Sequence, residues 1–233
     1  MLVNAGGSVL ESFPERLRKH ALKRLVKLGV EVRLGELVES VEDGIVRFRD
    51  GTSIGATTVV WAAGVRACDL AGTLGAAVAG GGRVRVTPQL NLESHPDVFV
   101  VGDMAHLDGC RGGGAYPMVA QVAIQQGRLA AENITALEQE RALSAFRYHD
   151  KGQMAIIGRR SAVVDAFGIR LAGLPARIGW LGLHLVYLSG LRNRLVVLMD
   201  WIAAYVSPTR GAGVITRPAM RRIEPLEAER EAA

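Results

Sequence analysis

A glycine-rich turn of the form G-x-G-x-x-G is missing from all 233 residues; Gly6-Gly7, Gly80-Gly81-Gly82 and Gly112-Gly113-Gly114 lack its spacing. That spacing lets a backbone close on a pyrophosphate at a helix N-terminus, so no dinucleotide loop of this kind lies within the sequence. Cysteine is scarce too. Cys68 and Cys110 are the only two, outside any C-x-x-C spacing, which excludes a disulfide framework or a cysteine zinc site. Aromatic residues make up 5%, too few for a protein that stacks single-stranded bases. No run reaches the roughly 20 uninterrupted apolar residues that a spanning helix requires. The start, MLVNAGGSVLESFPERL, has neither a basic n-region nor a long apolar stretch, so no secretory leader is expected. Two isolated cysteines fit a reducing, cytosolic compartment.

What is present reads as a folded chain. Hydrophobic residues make up 49% and charged residues 22%, outside the disordered regime. The length allows one full domain or two small ones with a sizeable core. A net charge of +5 admits nucleic acid, anionic lipid or an anionic cofactor as partner. The few aromatics cluster late in the chain, which favours lipid and leaves nucleic acid unexpected.

The first 34 residues have a strand–helix–strand rhythm. The apolar run ending at Asn4 is followed by Pro14-Glu15, and Leu17, Ala21, Leu22, Leu25 and Leu28 then recur at helical spacing before Gly29. Residues 30–34 alternate like a strand. Short strands are expected around 37–41 and 45–48, with Asp50-Gly51 as a turn. Residues 57–63 (TTVVWAA) read as a buried strand, residues 83–86 resume one, and residues 97–101 form another that stops at Gly102-Asp103. Helical spacing returns from Met118. Residues 146–157 and 161–164 are expected to pair in a later sheet.

Residues 178–206 are almost wholly apolar apart from Arg192-Asn193-Arg194. Burying two arginines in mid-bilayer costs roughly 2.5–3.5 kcal/mol each, so two interfacial helices joined at an Arg-Asn-Arg turn are expected instead of a span. Trp180, Tyr187, Trp201 and Tyr205 supply interfacial aromatics, and Arg210, Arg217, Arg221 and Arg222 can attract anionic lipid. An apolar core or dimer helix pair is the other reading of this segment.

Four blocks, in this order, carry a resemblance: TTVVWAAGVRA, HPDVFVVGDMA, YPMVAQVAIQQG and FRYHDKGQMAIIGR, followed by LRNRLVVLMDW. Together they resemble the type II, non-proton-pumping NADH:quinone oxidoreductases of the FAD-dependent pyridine nucleotide-disulfide oxidoreductase superfamily. The family carries two G-x-G-x-x-G loops ahead of these blocks, so the resemblance implies the back half of such an enzyme. The implied fold is α/β: a partial flavoprotein of two Rossmann-like dinucleotide-binding domains with a C-terminal amphipathic membrane-docking helical segment. Residues 1–80 would be the C-terminal part of the NADH-binding domain and 81–137 that of the FAD-binding domain. Residues 138–175 would be a small β-rich region, 176–216 membrane-surface helices and 217–233 a disordered tail.

The resemblance also implies roles. Asp103, after Gly102, would hold the ribityl chain of FAD, and the helix start at Ala120, Gln121 and Val122 would face the flavin ring. Gln121, Gln125 and Lys151 would line the quinone site, with Gln121 and Lys151 the catalytic pair. Ala63 and Gly64 would lie where the two dinucleotide domains meet. Asn4 stands where the family has an acidic residue for the ribose of NAD(H), so NADH and NADPH both stay open. The implied enzyme is peripheral on the cytoplasmic face of the cell membrane, meets a membrane quinone and an anionic lipid surface, and is compatible with a homodimer. Two alternatives remain: another flavoprotein reductase of the superfamily, such as a ferredoxin reductase type, or a truncated membrane-surface protein without catalysis.

Overall fold

The computed structural model describes residues 1–110 and 113–206. The expected tail at 217–233, the end of the membrane segment at 207–216 and the four late arginines lie outside the described residues. The chain divides into two compact units, Met1–Trp180 and Leu181–Ala233.

The first unit opens with a parallel pair, β1 (Leu2–Asn4) and β2 (Val32–Leu34), joined through α1 (Glu15–Lys27). Pro14 precedes the first helical turn, Glu15 faces the positive end of the helix, Arg24 and Lys27 face the negative end, and Gly29 leaves it at φ 79°. Leu17 and Ala21 form the buried stripe. An antiparallel meander follows: β3 (Val38–Glu42), β4 (Ile45–Phe48) and β5 (Ser53–Gly55). Asp50 ties the second turn by accepting the Thr52 N–H at 2.9 Å, as the Asp50-Gly51 pair leads one to expect.

Residues 57–63 do not form the expected strand. They run as an exposed loop, with Val60 82% and Trp61 65% accessible. An apolar strand of this type is stable only inside a sheet covered on both faces. Among the described residues neither a pairing strand nor a covering layer meets it.

The next sheet joins β6 (Val78–Ala79), β7 (Arg83–Arg85) and β8 (Ala105–His106), with β7 and β8 parallel. Residues 97–101 are extended but reduced to a single bridge, Asn91↔Phe99, rather than a full strand. The Leu92 N–H donates to Val98 O and the Val100 N–H to Leu90 O, so this arm is satisfied by a local hairpin. α2 (Ala120–Glu138) follows, its start where helical spacing places it.

The last sheet of this unit has the order β11-β10-β9, from β9 (Gln153–Ile156), β10 (Ala162–Ala166) and β11 (Ile169–Gly173). Only residues 153–156 of the strand expected at 146–157 pair in it. β11 was not expected. Phe167 and Gly168 both take positive φ, 53° and 75°, giving the two-residue hairpin whose twist matches its strands. β10 is covered on both faces: Val163 packs with Val9, Phe13, Leu17, Ala21 and Ile157, while Ala162, Val164 and Ala166 pack with Ala176.

α3 (Leu174–Tyr187) begins in the first unit and continues into the second. In the second unit α3 ends, and α4 (Leu191–Val206) begins after Gly190 at φ 79°. The break falls at residues 188–190, not at Arg192-Asn193-Arg194, which form the first turn of α4. Arg194 explains the shift: its guanidinium donates to Leu188 O and Val186 O, both at 2.9 Å, and so caps the C-terminal carbonyls of α3. Among the described residues no helix is long and apolar enough to cross a membrane.

Leu17, 2% exposed, joins α1 to the β10 face. Leu17→Ala is expected to cost about 2–5 kcal/mol, read from the urea midpoint, and to lower hydrogen-exchange protection in β10.

Candidate functional site

Three segments converge in the first unit: the turn at Gly102, the start of α2 and the run 148–152. Val101 is extended and Gly102 turns at φ 68° into a single 3₁₀ turn, Gly102–Met104. A Cβ on Gly102 would lie 3.3 Å from that of Ala123, so glycine and alanine together bring the turn against α2. The Gly102 N–H donates to Gln126 Oε1 at 2.7 Å, and Gln126 is fully buried. Asp103 projects from the same turn and is exposed.

α2 begins on an apolar residue. Val119 is extended (φ −135°) and supplies no side-chain cap, so the first N–H groups of the helix carry its partial positive charge uncovered. Ala120 is exposed beside them. Val122, by contrast, is 2% exposed and packs with Leu90, Leu107, Tyr116 and Phe146, and its N–H is bonded to Val119 O. Neither its side chain nor its amide faces outward.

Gln121 and Gln125 share one helix face, and their amides hold the neighbouring backbone. Gln121 Nε2 donates to Gly152 O at 2.8 Å, and its Oε1 accepts the Lys151 N–H at 3.2 Å. Gln125 repeats the pattern on His149, donating to its O at 3.0 Å and accepting its N–H at 2.9 Å. A primary amide has the donor and acceptor of a peptide group, so the two side chains stand in for a missing strand neighbour. Lys151 is half-buried on this run. The Gly152 N–H donates to Asp150 Oδ1 at 2.8 Å.

Gly152 is the tightest point. It sits at φ 90°, and an added Cβ would stand 2.3 Å from Ala166 Cα and from Asp165 O, both backbone atoms of β10. Before it, Tyr148 lies edge-on to Tyr116, with centroids 5.7 Å apart. Burial first, then Asp150, pushes its phenol up to about 12.

Arg83 locks the arrangement from below. It is 8% exposed, and its guanidinium donates to Ala105 O, just beyond the Gly102 turn, and to Tyr116 O at 2.9 Å, on the approach to α2. Desolvation lowers its pKa while Asp103 and Asp108 oppose the shift. Farther along α2, Asn133 donates to Gln89 O and Ser144 O and accepts the Ser144 N–H.

Of the residues singled out in the sequence, Gly102, Asp103, Ala120, Gln121, Gln125 and Lys151 come together here. Asn4, Ala63 and Gly64 do not. Asn4 ends β1 and donates to Gly6 O and Ser8 O, at 3.3 and 3.0 Å, while Ala63 and Gly64 lie in the exposed loop. Sequence reasoning missed Gln126 and Arg83. Gln126 had a signal, since Val122, Gln126, Ala130 and Asn133 fall on the buried stripe of α2. Arg83 had none, because an arginine alternating with valine reads as an outward residue.

The profile of the family described as pyridine nucleotide-disulphide oxidoreductase matches residues 1–127. The chain belongs to that family. Its relatives within that family include type II NADH:quinone oxidoreductases. Ndh of Mycobacterium tuberculosis is 40% identical over 228 residues, covering 93% of this chain and 48% of that protein. The mitochondrial internal alternative NAD(P)H-ubiquinone oxidoreductase A1 of Arabidopsis thaliana is 31% identical, over 85% of this chain and 42% of that protein. The chain therefore spans about half the length of the curated relatives it matches. The fold is shared with NDH2 of Plasmodium falciparum, solved in complex with NADH: TM-score 0.75 at 14% identity, over 88% of this chain and 57% of that one. The α/β, Rossmann-like architecture of this oxidoreductase family is thus shown.

Gly152→Ala is expected to lower stability by about 2–4 kcal/mol, because neither the backbone of β10 nor a positive φ accommodates the methyl group. A urea melt unchanged from the parent would contradict the contact. Tyr148 gives a pH expectation. An acid whose folded pKa lies above its unfolded value of 10.0 keeps its proton longer when folded, so stability falls as pH rises from there to about 12. The 295 nm absorbance difference between the parent and Tyr148→Phe should show this phenol titrating above 10.0, toward about 12.

Proposed function

We propose that this chain is the acceptor-side half of an FAD-dependent enzyme that passes electrons from NADH to a membrane quinone. The observation that carries the reading is the convergence of Gly102–Asp103, the uncapped start of α2 and the Lys151 segment in one place. The donor set fits a flavin. An exposed carboxylate accepts from hydroxyls of a sugar-like chain, and outward N–H groups at a positive helix end suit an electron-rich ring edge. Bound there, FAD supplies two-electron chemistry between a nicotinamide and a quinone.

The chain's own residues would do the rest. Asp103 holds the ribityl hydroxyls, and Gly102 keeps side-chain bulk away from them. Ala120 and the first amides of α2 orient the ring. Gln121 and Gln125 fix the backbone that presents Lys151, whose charge would stabilise a reduced quinone oxygen. On the nicotinamide side, Asn4 has its amide hydrogens on Gly6 O and Ser8 O, which leaves Oδ1 to accept from a ribose hydroxyl. Residues 1–80, 81–137 and 138–175 would then be the NADH-side, FAD-side and β-rich acceptor-side parts.

The membrane contact is proposed for α3 and α4. Leu191, Leu195, Met199, Ile202 and Val206 recur at helical spacing along α4, and all are exposed. Arg194 is engaged with backbone carbonyls, which supports helices lying on the bilayer surface rather than entering it. Removing everything after Pro175 should release the protein from membranes into the soluble fraction.

The test joins this chain to the front half of a relative and follows each half-reaction by stopped flow. Lys151→Gln and Gln121→Ala should slow flavin reoxidation by quinone about tenfold or more while reduction by NADH stays unchanged. Equal losses in both half-reactions would give these residues a purely structural role and overturn the acceptor-side placement. The 233-residue chain alone should purify with little flavin, having no G-x-G-x-x-G loop for the pyrophosphate. A stoichiometric yellow protein would contradict that.

A further inference from the structure

A cationic trough runs along α1. Two hollows of about 470 and 530 Å³ share His20 and Lys23 and so form one continuous depression between α1 and the end of the β10–β11 hairpin. Arg16, Lys19, Lys23, Arg24, Lys27 and Arg160 line it. Glu15 is the one carboxylate of the lining, and it is paired with Lys19 at 2.6 Å. Among the described residues the other five basic side chains have no carboxylate within ion-pair distance. Arg24 Nε is buried without a hydrogen-bond partner. The floor is polar as well, with His20 Nε2 3.2 Å from the buried Ser161 Oγ.

Five positive charges without a carboxylate partner among the described residues repel one another and destabilise the groove, and an anion bound there relieves the repulsion. Its position says which anion. Ala172 and Gly173 form part of the lining, and the next residue, Leu174, begins α3. Leu174 is 56% and Ile178 61% exposed, so an apolar helix face starts at the rim of the cationic trough. A soluble phosphate would have no use for that apolar edge. At a bilayer, phosphates lie directly beside acyl chains, and a protein that meets both needs this pair of surfaces side by side. No Phe, Tyr or Trp lines the trough, which disfavours a stacked nucleic-acid base.

We infer that the trough between α1 and the β10–β11 hairpin binds the phosphates of anionic lipid headgroups and orients the first unit on the membrane. The inference rests on the membrane docking proposed above. It adds that the charge contact lies in the folded α/β unit, on α1 and at Arg160, and not in the four late arginines at 210–222.

The experiment measures binding of the whole chain to phosphatidylcholine vesicles with and without phosphatidylglycerol. The variant carries Arg16→Gln, Lys23→Gln, Lys27→Gln and Arg160→Gln, all at exposed positions, with thermal unfolding followed by circular dichroism as the check of fold. Binding to anionic vesicles should fall about tenfold or more, binding to neutral vesicles should stay unchanged, and Lys23→Glu alone should act in the same direction. Unchanged binding to anionic vesicles, or equal losses on both, would overturn the inference. So would an anionic preference abolished by Arg210→Gln, Arg217→Gln, Arg221→Gln and Arg222→Gln alone. Saturable movement of the His20 ring signals with millimolar inorganic phosphate, displacing the chain from vesicles beyond the effect of equal ionic strength, would reassign the trough to a soluble anion. The neutral vesicles separate the two readings. Absent neutral binding with trough-dependent anionic binding would sink apolar docking alone, whereas neutral binding without trough dependence would sink the trough alone.

Discussion

The run from Tyr148 to Gly152 is gripped from two sides by different forces. Gln121 and Gln125 hold its backbone by four hydrogen bonds, each amide both donating and accepting. Gly152 meets β10 so closely that only hydrogen fits in place of a side chain. Through this run α2 is coupled to the β9–β11 sheet, and through β10 that sheet is coupled to α1 on one face and to the start of α3 on the other. The position of Lys151 follows from these couplings rather than from any preference of its own loop.

The opposite flank of the site depends on a buried charge whose hydrogen bonds go to backbone carbonyl oxygens. Arg83 is satisfied by carbonyl oxygens of Ala105 and Tyr116, so its fork fixes the distance between the Gly102 turn and the approach to α2. Removing one partner of such a contact leaves a charged group desolvated. Gln126 completes the frame by taking the Gly102 N–H. Two buried polar side chains, Arg83 and Gln126, thus set the geometry of the exposed Asp103.

How much of this could be read from the residues depended on where each element finds its partners. α1 and α2 were legible because a helix satisfies its own backbone, and capping and periodicity are local signals. The strand expected at 57–63 has the composition of a sheet centre, but a strand needs neighbours, and the described residues provide none. The run 146–152 looked like a strand for a related reason: its backbone is paired, through Phe146 with Pro88 O and through residues 149–152 with side-chain amides. β11 escaped notice because Phe167-Gly168 is a weak turn signal beside Asn-Gly, although its positive φ pair serves the same geometry. In the site, Gly102, Asp103, Gln121 and Lys151 came from the resemblance, while Arg83 was invisible because its partners are backbone atoms, which sequence does not distinguish.

α2 is pinned at both ends. Asn133 ties its later turns to Gln89 and Ser144, and Gln121 and Gln125 tie its first turns to residues 149–152. A helix fixed in this way cannot slide or swing, so the electric field at its N-terminus has a constant direction. For any group placed there that gains and loses electrons, the surrounding dipoles are already aligned before the charge arrives, and little reorganisation accompanies each transfer. In the electron-transfer role proposed above, the asparagine at position 133, well along the helix from the site, would act on the barrier by keeping the protein around the redox group stationary.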